Sequence, residues 1–135
     1  MVIVGIGVDA VEVDRMRQIL QRTPTFRERF TPGEQADAEQ RNDPSERYAA
    51  RFAAKEAVMK ALGVGLGAFG FHDVETVLAE SGAPSLRLTG QAAQLSAAAG
   101  VTEWHVSLTH TGSTAIAMVV AERADPTVRV LMPQE

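Results

Sequence analysis

Residues 51–63 read RFAAKEAVMKALG and form the centre of a run, residues 46–62, that contains neither glycine nor proline. The run is rich in alanine, the strongest helix former, so it predicts one long helix. Gly63 comes directly after it and is typical of the residue that follows a helix C-terminus. We therefore expect a long helix followed by a flexible loop, in which glycine recurs at positions 65, 67 and 70.

The N-terminal segment predicts a strand and then a helix. Residues 2–8 are β-branched apart from their glycines, which favours a buried strand. Asp9 follows, and Glu12 stands at capping-box spacing from it, so we expect a helix to begin at Asp9 and to end before Pro24.

Signals farther along the chain predict further elements. Thr31, Pro32 and Glu34 supply the cap, the first-turn proline and the glutamate of a helix start. The remaining predicted elements are the rest of that helix to about residue 40, a hairpin of strands 73–78 and 85–88 around a turn at 81–84, a helix at 91–99, and strands at 104–110 and 115–121. Residues 124–135 form a predicted tail, within which residues 128–132 favour an additional strand.

Composition limits the class of protein. The chain has 135 residues, a net charge of −4 and no cysteine, which fits one globular domain and excludes disulfides and thiolate chemistry. Its longest apolar run, residues 115–121, is far shorter than the roughly 20 residues that a bilayer requires. The first residues lack the features of a signal peptide. We therefore expect a cytoplasmic protein that does not span a membrane.

Positive charge is concentrated in one segment. Five arginines are opposed there only by Glu28, namely Arg15, Arg17, Arg22, Arg27 and Arg29. This segment predicts an anionic partner. Nucleic acid is not expected as that partner, because the whole chain is acidic and its basic residues do not interleave with aromatic ones.

Glu56, Lys60 and Asp9 each have two interpretations. Glu56 and Lys60 lie one helical turn apart, which fits an exposed ion pair worth about 0.3–0.5 kcal/mol. Glu56 also lies one turn from Phe52, and nearby alanines allow another backbone to approach, which instead favours a cleft. Asp9 is either a helix cap or a second carboxylate that meets Glu56 around a magnesium ion, with Lys60 offsetting phosphate charge. Spacing alone leaves these alternatives open.

His110 and the glycine loop carry weaker signals. A lone histidine at a strand end is more often structural than catalytic, and no two histidines have the spacing of a zinc motif. Gly65, Gly67 and Gly70 match a dinucleotide fingerprint only in letters, because the fingerprint must follow a strand, and these follow a predicted helix. The glycines still let backbone amides approach phosphate oxygens closely.

Three signatures occur in the order of one family. They are GIGVD at 5–9 with Arg15 and FRERFTPGE at 26–34, then RFAAKEA at 51–57 with Lys60, Ala61 and Gly63, then HVSLTH at 105–110. Over about residues 3–122 the chain resembles the holo-acyl-carrier-protein synthases of the phosphopantetheinyl transferase superfamily. The resemblance implies an α+β fold in which an antiparallel sheet packs against one long and several short helices. The domain would span residues 1–123 and form a homotrimer, with each active site between subunits.

The resemblance also implies an activity and the residues that serve it. A magnesium-dependent enzyme would move 4′-phosphopantetheine from coenzyme A to a serine of apo-acyl carrier protein, in fatty acid or polyketide biosynthesis. Asp9 and Glu56 match magnesium ligands, and with Lys60, which matches a contact to the coenzyme A phosphates, they form the catalytic set. The positions that match the nucleotide and phosphate site are Arg51, Lys60, Gly63, Gly65, Gly82, Pro84 and His110. Arg15 and Arg22 match the region that docks the carrier protein.

Two other classes of function remain as alternatives. A catalytically silent trimer would bind coenzyme A or carrier protein as a scaffold. A metal-dependent hydrolase would cleave the pyrophosphate of coenzyme A without an acceptor. The general base is also open between Glu56 and a metal-activated water.

Overall fold

A computed structural model describes residues 1–125, which form two antiparallel sheets and four helices within that range. The strands are β1, Val2–Glu12; β2, Val74–Leu78; β3, Pro84–Leu88; β4, Glu103–His110; and β5, Thr114–Arg123. The helices are α1, Val13–Arg22; α2, Pro32–Ala38; α3, Ser45–Leu62; and α4, Gly90–Ala98, with 3-10 turns at Pro24–Arg29 and Phe71–Asp73. The predicted α+β class is confirmed.

The larger sheet has the order β1-β5-β4, and α3 packs across one of its faces. Two glycines allow β1 to approach this helix closely. A Cβ on Gly5 would lie 1.9 Å from the carbonyl oxygen of Ala61, and one on Gly7 would lie 1.8 Å from that of Ala57. Any side chain at either position would therefore force the strand away from the helix.

The core has two parts that differ in side-chain size. Between α3 and the sheet the buried residues are mostly small, because the backbones are close; they include Ala53, Ala54, Ala57, Ala117 and Val119. Beneath α1 and the first 3-10 turn the buried residues are larger; they include Met16, Leu20, Phe30 and Tyr48. The long helix is therefore held against the sheet by backbone proximity and against α1 by bulky side chains.

A buried ion pair ties α2, α3 and β2 together. The Lys55 side chain is completely buried, and its Nζ donates hydrogen bonds to Glu34 Oε1 at 2.7 Å and to the carbonyl oxygens of Phe71 and Val74. Glu34 Oε2 accepts a hydrogen bond from the backbone N–H of Thr76 at 3.0 Å. Burial lowers the pKa of Lys55, and the charge of Glu34 opposes that shift. All three ammonium donors thus have acceptors, as a buried lysine requires.

The prediction that a helix begins at Asp9 is wrong. Strand β1 continues to Glu12, and Asp9 pairs with Ala117 in the middle of the ladder with β5. Helix α1 begins at Val13, and its N-cap residue, Glu12, makes no side-chain capping hydrogen bond. The reason is long-range: β5 is ten residues long and supplies backbone partners as far as Glu12, so the ladder competes with helix initiation.

The other predicted elements are confirmed within a few residues. Thr31 and Glu34 form the predicted capping box at the start of α2. Gly63 follows α3 with φ of 69°, in the left-handed region that favours glycine. The predicted strand at residues 128–132 lies outside the described residues. Within residues 1–125, none of the helices is both long and apolar enough to cross a bilayer.

The larger sheet has one covered and one open face. Ile6 and Val8 of β1 and Met118 of β5 point away from α3 and are 56%, 50% and 46% exposed. The sequence predicted buried strands here, but within residues 1–125 this face has no covering layer. The open face is thus an apolar surface at the centre of the sheet, which is uncommon in a protein that functions alone.

Candidate functional site

Asp9 and Lys60 form an ion pair where β1 crosses α3. The Asp9 side chain is only 12% exposed, and Lys60 Nζ donates to Asp9 Oδ1 at 2.8 Å. The same Nζ donates to the carbonyl oxygen of Val8 at 3.1 Å. The hydrogen bond to Asp9 raises the pKa of Lys60. The lysine is therefore a fixed positive charge beside the Asp9 carboxylate, and its exposed position leaves it able to meet a ligand.

Glu56 lies beside Asp9, on the turn of α3 that precedes Lys60. Burial raises the pKa of Glu56, and the charge of Asp9 and a hydrogen bond between the two side chains raise it further. Lys60 acts in the opposite direction. Two neighbouring carboxylates form an arrangement that a hard cation stabilises. The structure therefore brings together the two distant acids that the sequence singled out.

Asp9 and Glu56 line a cleft of about 470 Å³. We call it the acidic cleft. Arg15 of α1 also lines it. Its other lining residues include the apolar side chains of Met16, Ile19, Phe26 and Phe52. The interpretation that Glu56 faces a cleft is confirmed.

A second cavity, of about 340 Å³, lies on another side of α3. We call it the arginine cavity. Four residues that the family resemblance singled out line it, namely Arg51, Gly82, Pro84 and His110. His110 Nε2 lies 3.3 Å from Glu46 Oε1. These four positions come from three separate segments of the chain, so their convergence is a property of the fold.

The predicted site residues thus fall into two groups. Arg51 and Glu56 are five residues apart on α3, which places their side chains about 140° apart around the helix. Asp9, Glu56 and Lys60 are not among the residues that line the arginine cavity. Gly63 and Gly65 follow Lys60 after the end of α3, and no atom of residues 1–125 lies within 4 Å of the position that a Cβ would take at either glycine. Among the described residues of one chain, the carboxylates and the arginine cavity do not form one continuous site.

Arg15 and Arg22 are both exposed on α1. Arg15 lines the acidic cleft, and Arg22 lies in the last turn of the helix. Arg22 lies about two turns from Arg15 on the same helix, in the segment where the sequence predicts an anionic partner. This geometry is compatible with a docking role.

Several polar groups were missed by the sequence analysis. Arg41, Glu46 and Arg47 also line the arginine cavity, and Asp37 of α2 binds both Arg47 and Arg51. The one available signal was that Arg47 and Arg51 are one helical turn apart. On the open sheet face, ligand atoms of Glu103, His105 and Glu122 lie within 4.8 Å of one another. Only the β4–β5 register brings this second group together.

Comparisons with known proteins agree on one family. Residues 5–119 match the family model described as the 4′-phosphopantetheinyl transferase superfamily. A holo-[acyl-carrier-protein] synthase from Frankia alni is 52% identical over 123 residues, which cover 90% of this chain and 99% of that protein.

Solved structures have the same fold. The holo-[acyl-carrier-protein] synthase of Neisseria meningitidis has a TM-score of 0.82 and 31% identity, covering 90% of this chain and 100% of that one. The Helicobacter pylori enzyme, solved in complex with coenzyme A, has a TM-score of 0.76 and 32% identity, covering 87% of this chain and 99% of that one.

Proposed function

The chain belongs to the 4′-phosphopantetheinyl transferase superfamily, and we propose that it transfers 4′-phosphopantetheine from coenzyme A to a serine of apo-acyl carrier protein. The products are holo-acyl carrier protein and adenosine 3′,5′-bisphosphate. The observation that carries this proposal is that Asp9 and Glu56 line one cleft, with Lys60 paired to Asp9. The expected cytoplasmic location stays a prediction.

Asp9 and Glu56 fit a magnesium ion, because magnesium is held in proteins by one or two carboxylates with water and phosphate oxygens completing its octahedron. When bound there, the ion supplies positive charge to the diphosphate of coenzyme A. Lys60, fixed by Asp9 and Val8, supplies further positive charge on the same side. These residues thus stabilise the charge that develops on the leaving nucleotide.

The reaction is a displacement at phosphorus. The serine oxygen attacks the phosphorus on the pantetheine side, the bond to the bridging oxygen breaks, and adenosine 3′,5′-bisphosphate leaves. The serine proton passes to a base, and Glu56 lies in the cleft where this proton is released. The chain's own residues therefore contribute positioning, charge and an adjacent carboxylate.

We further propose that the active form is a homotrimer. Its support is the open apolar face of Ile6, Val8 and Met118, together with the separation of the two residue groups around α3. A neighbouring copy that covers this face would bring its arginine cavity toward the Asp9 and Glu56 of the first copy. Light scattering should give a mass of three chains, whereas a mass of one 14.5 kDa chain in the active protein would refute the shared site.

Charge reversal at Arg15 and Arg22 is expected to weaken carrier-protein docking. Acyl carrier protein meets α1 as an anion, so R15E with R22E should raise the KM for the carrier about tenfold and leave the KM for coenzyme A nearly unchanged. Steady-state assays that vary each substrate in turn measure both values. R87E reverses a charge on the β2–β3 hairpin, outside both cavities, and is the control. Equal losses for both substrates would contradict the docking role.

One assay separates transfer from scaffolding and hydrolysis. The release of adenosine 3′,5′-bisphosphate is measured by chromatography with and without apo-carrier protein, in magnesium and after chelation. Transfer predicts release that needs both carrier and metal and equals the holo-carrier formed. Release without a carrier would indicate a hydrolase, and tight binding without release would indicate a scaffold.

A further inference from the structure

Three aromatic rings connect the acidic cleft with a part of the chain that does not line it. Phe26 and Phe52 line the cleft, and their ring centroids are 5.6 Å apart. Phe71 is not among the lining residues, and its ring stacks on that of Phe52 with centroids 5.3 Å apart and an interplanar angle of 27°. We call Phe26, Phe52 and Phe71 the aromatic stack. Phe71 can therefore act on the cleft through Phe52.

The two 3-10 turns are tied together beside this stack. The guanidinium group of Arg29 lies over two of its rings, 5.0 Å from the centroid of Phe26 and 5.5 Å from that of Phe71. A cation is attracted to an aromatic face at such distances. His72, next to Phe71, donates a hydrogen bond from Nε2 to the carbonyl oxygen of Glu28. Because Glu28 and Arg29 belong to the first turn, both contacts join it to the second.

The first 3-10 turn, which carries Phe26, depends on such contacts for its position. None of its residues is buried, and hydrogen-bond geometry in a 3-10 helix is poorer than in an α-helix. Phe30, directly after the turn, is completely buried and contacts Phe26 edge-on, so the turn has one anchor in the core. The contacts with the second turn supply another, and they fix where the ring of Phe26 lies.

The backbone of Phe71 is itself fixed by the buried ion pair. Lys55 Nζ donates to the carbonyl oxygens of Phe71 and Val74, at the start of the second turn and just after its end. Glu34 binds the same ammonium group. Lys55 directly precedes Glu56 on α3. The ring of Phe71 is therefore held from a rigid base whose position is set by the helix that carries Glu56.

The aromatic stack suits the acceptor protein better than coenzyme A. In the proposed function the serine must reach the phosphorus that Asp9 and Glu56 serve, so the carrier surface around that serine lies against the acidic cleft. Arg15 offers charge to this anionic partner. The rings of Phe26 and Phe52 offer no charge to a diphosphate, whereas an apolar side chain of the carrier gains free energy when it is buried against them.

We propose that Phe71 is a positioning residue for the carrier protein, which holds Phe52 and Phe26 so that they present an apolar surface beside the attacked phosphorus. This inference rests on the proposed function. It assigns a part in acceptor recognition to a residue that lines neither the acidic cleft nor the arginine cavity. Recognition of coenzyme A should be independent of it.

Replacing the ring tests this role. F71L keeps an apolar side chain and removes the stacking, so it should raise the KM for the carrier about fivefold, while kcat and the KM for coenzyme A change less than about twofold. Phe71 is only partly buried, so F71Y can keep the ring and should restore the wild-type KM. The ratio of the F71L to the wild-type KM should persist at high salt, because salt screens charges and not packing.

F69L is the matched control. Phe69 is 6% exposed and belongs to the core between α3 and the sheet, against which Phe71 also packs. F69L should cost at least as much stability in urea as F71L, yet leave both KM values within about twofold of the wild type. Equal rises in the carrier KM for F69L and F71L would show that Phe71 only stabilises the fold and would overturn the inference. A rise for both substrates in F71L, or no rescue by F71Y, would also overturn it. If F71L does not fold, F71M makes the same comparison with a side chain that fills gaps more readily.

A binding measurement keeps the inference separate from the proposed function. Calorimetry of apo-acyl carrier protein with each variant, without coenzyme A, reports docking without turnover. Wild-type protein that transfers nothing from coenzyme A would contradict the proposed function. In that case, weaker carrier binding by F71L that F71Y restores would still support the positioning role, and equal binding by F71L and the wild type would overturn it. A wild type that does not bind the carrier would overturn both.

Discussion

Gly7→Ala is expected to destabilise the protein by about 3 kcal/mol or more, the upper range for overpacking. The added methyl group would lie 1.8 Å from the Ala57 carbonyl oxygen, which is backbone and cannot rotate away. Strand β1 must then separate from α3, and the buried alanines between them lose contact. Urea unfolding followed by circular dichroism measures the change in the free energy of unfolding.

Gly112→Ala is the matched control for this substitution. A Cβ on Gly112 meets no atom of residues 1–125 within 4 Å, so the change should alter the free energy of unfolding by less than about 0.5 kcal/mol. Equal urea midpoints for the two variants would show that β1 and α3 are not in backbone contact. That result would also remove the reason why Asp9 and Glu56 lie together.

Glu56→Gln should lower kcat about 1,000-fold, which is typical for the loss of a group that acts on transition-state charge or proton transfer. Glutamine keeps the size of the side chain and removes its negative charge. The residue can then neither bind a metal as a carboxylate nor accept a proton. Turnover by mass spectrometry and magnesium binding by calorimetry separate the two roles. Retained magnesium binding with lost turnover assigns Glu56 to proton transfer. Wild-type turnover would remove Glu56 from the mechanism.

The same variant should not be less stable than the wild type. Because the folded-state pKa of Glu56 is raised, ionised Glu56 disfavours folding above that pKa, and the penalty disappears as the pH falls below the ordinary pKa of the side chain. Metal-free E56Q should therefore match or exceed the wild type in urea midpoint at neutral pH. E80Q, in the exposed turn between β2 and β3, is the control and should keep wild-type turnover. A strongly destabilised E56Q would mean that its lost activity reflects unfolding.

Local signals predicted most of the fold. The run at residues 46–62 became α3, the Thr31–Glu34 capping box began α2, and the turn at 81–84 joined β2 to β3. Each depends on residues within one or two turns of one another. The predicted end of β1 was wrong, because pairing with β5, about a hundred residues farther along the chain, extends the strand to Glu12.

Only part of the candidate site was predicted, again because contacts between distant parts of the chain decide which residues meet. Asp9, Glu56 and Lys60 were identified through the family resemblance, since spacing alone left their roles open. The Lys55–Glu34 pair had no local signal, and the pairing of Asp37 with Arg47 and Arg51 had only the one-turn spacing of the two arginines, because each joins residues from different helices. The division of the predicted residues between two sides of α3 became visible only when the helix was placed against the sheet.

Transfer to a carrier protein at the Asp9 and Glu56 cleft is tested most directly by intact mass spectrometry of an apo-acyl carrier protein incubated with this protein, coenzyme A and magnesium. We expect a mass gain of one phosphopantetheine group, which chelation of magnesium and the E56Q substitution each prevent. An unmodified carrier with folded wild-type protein, or equal modification by E56Q, would contradict it.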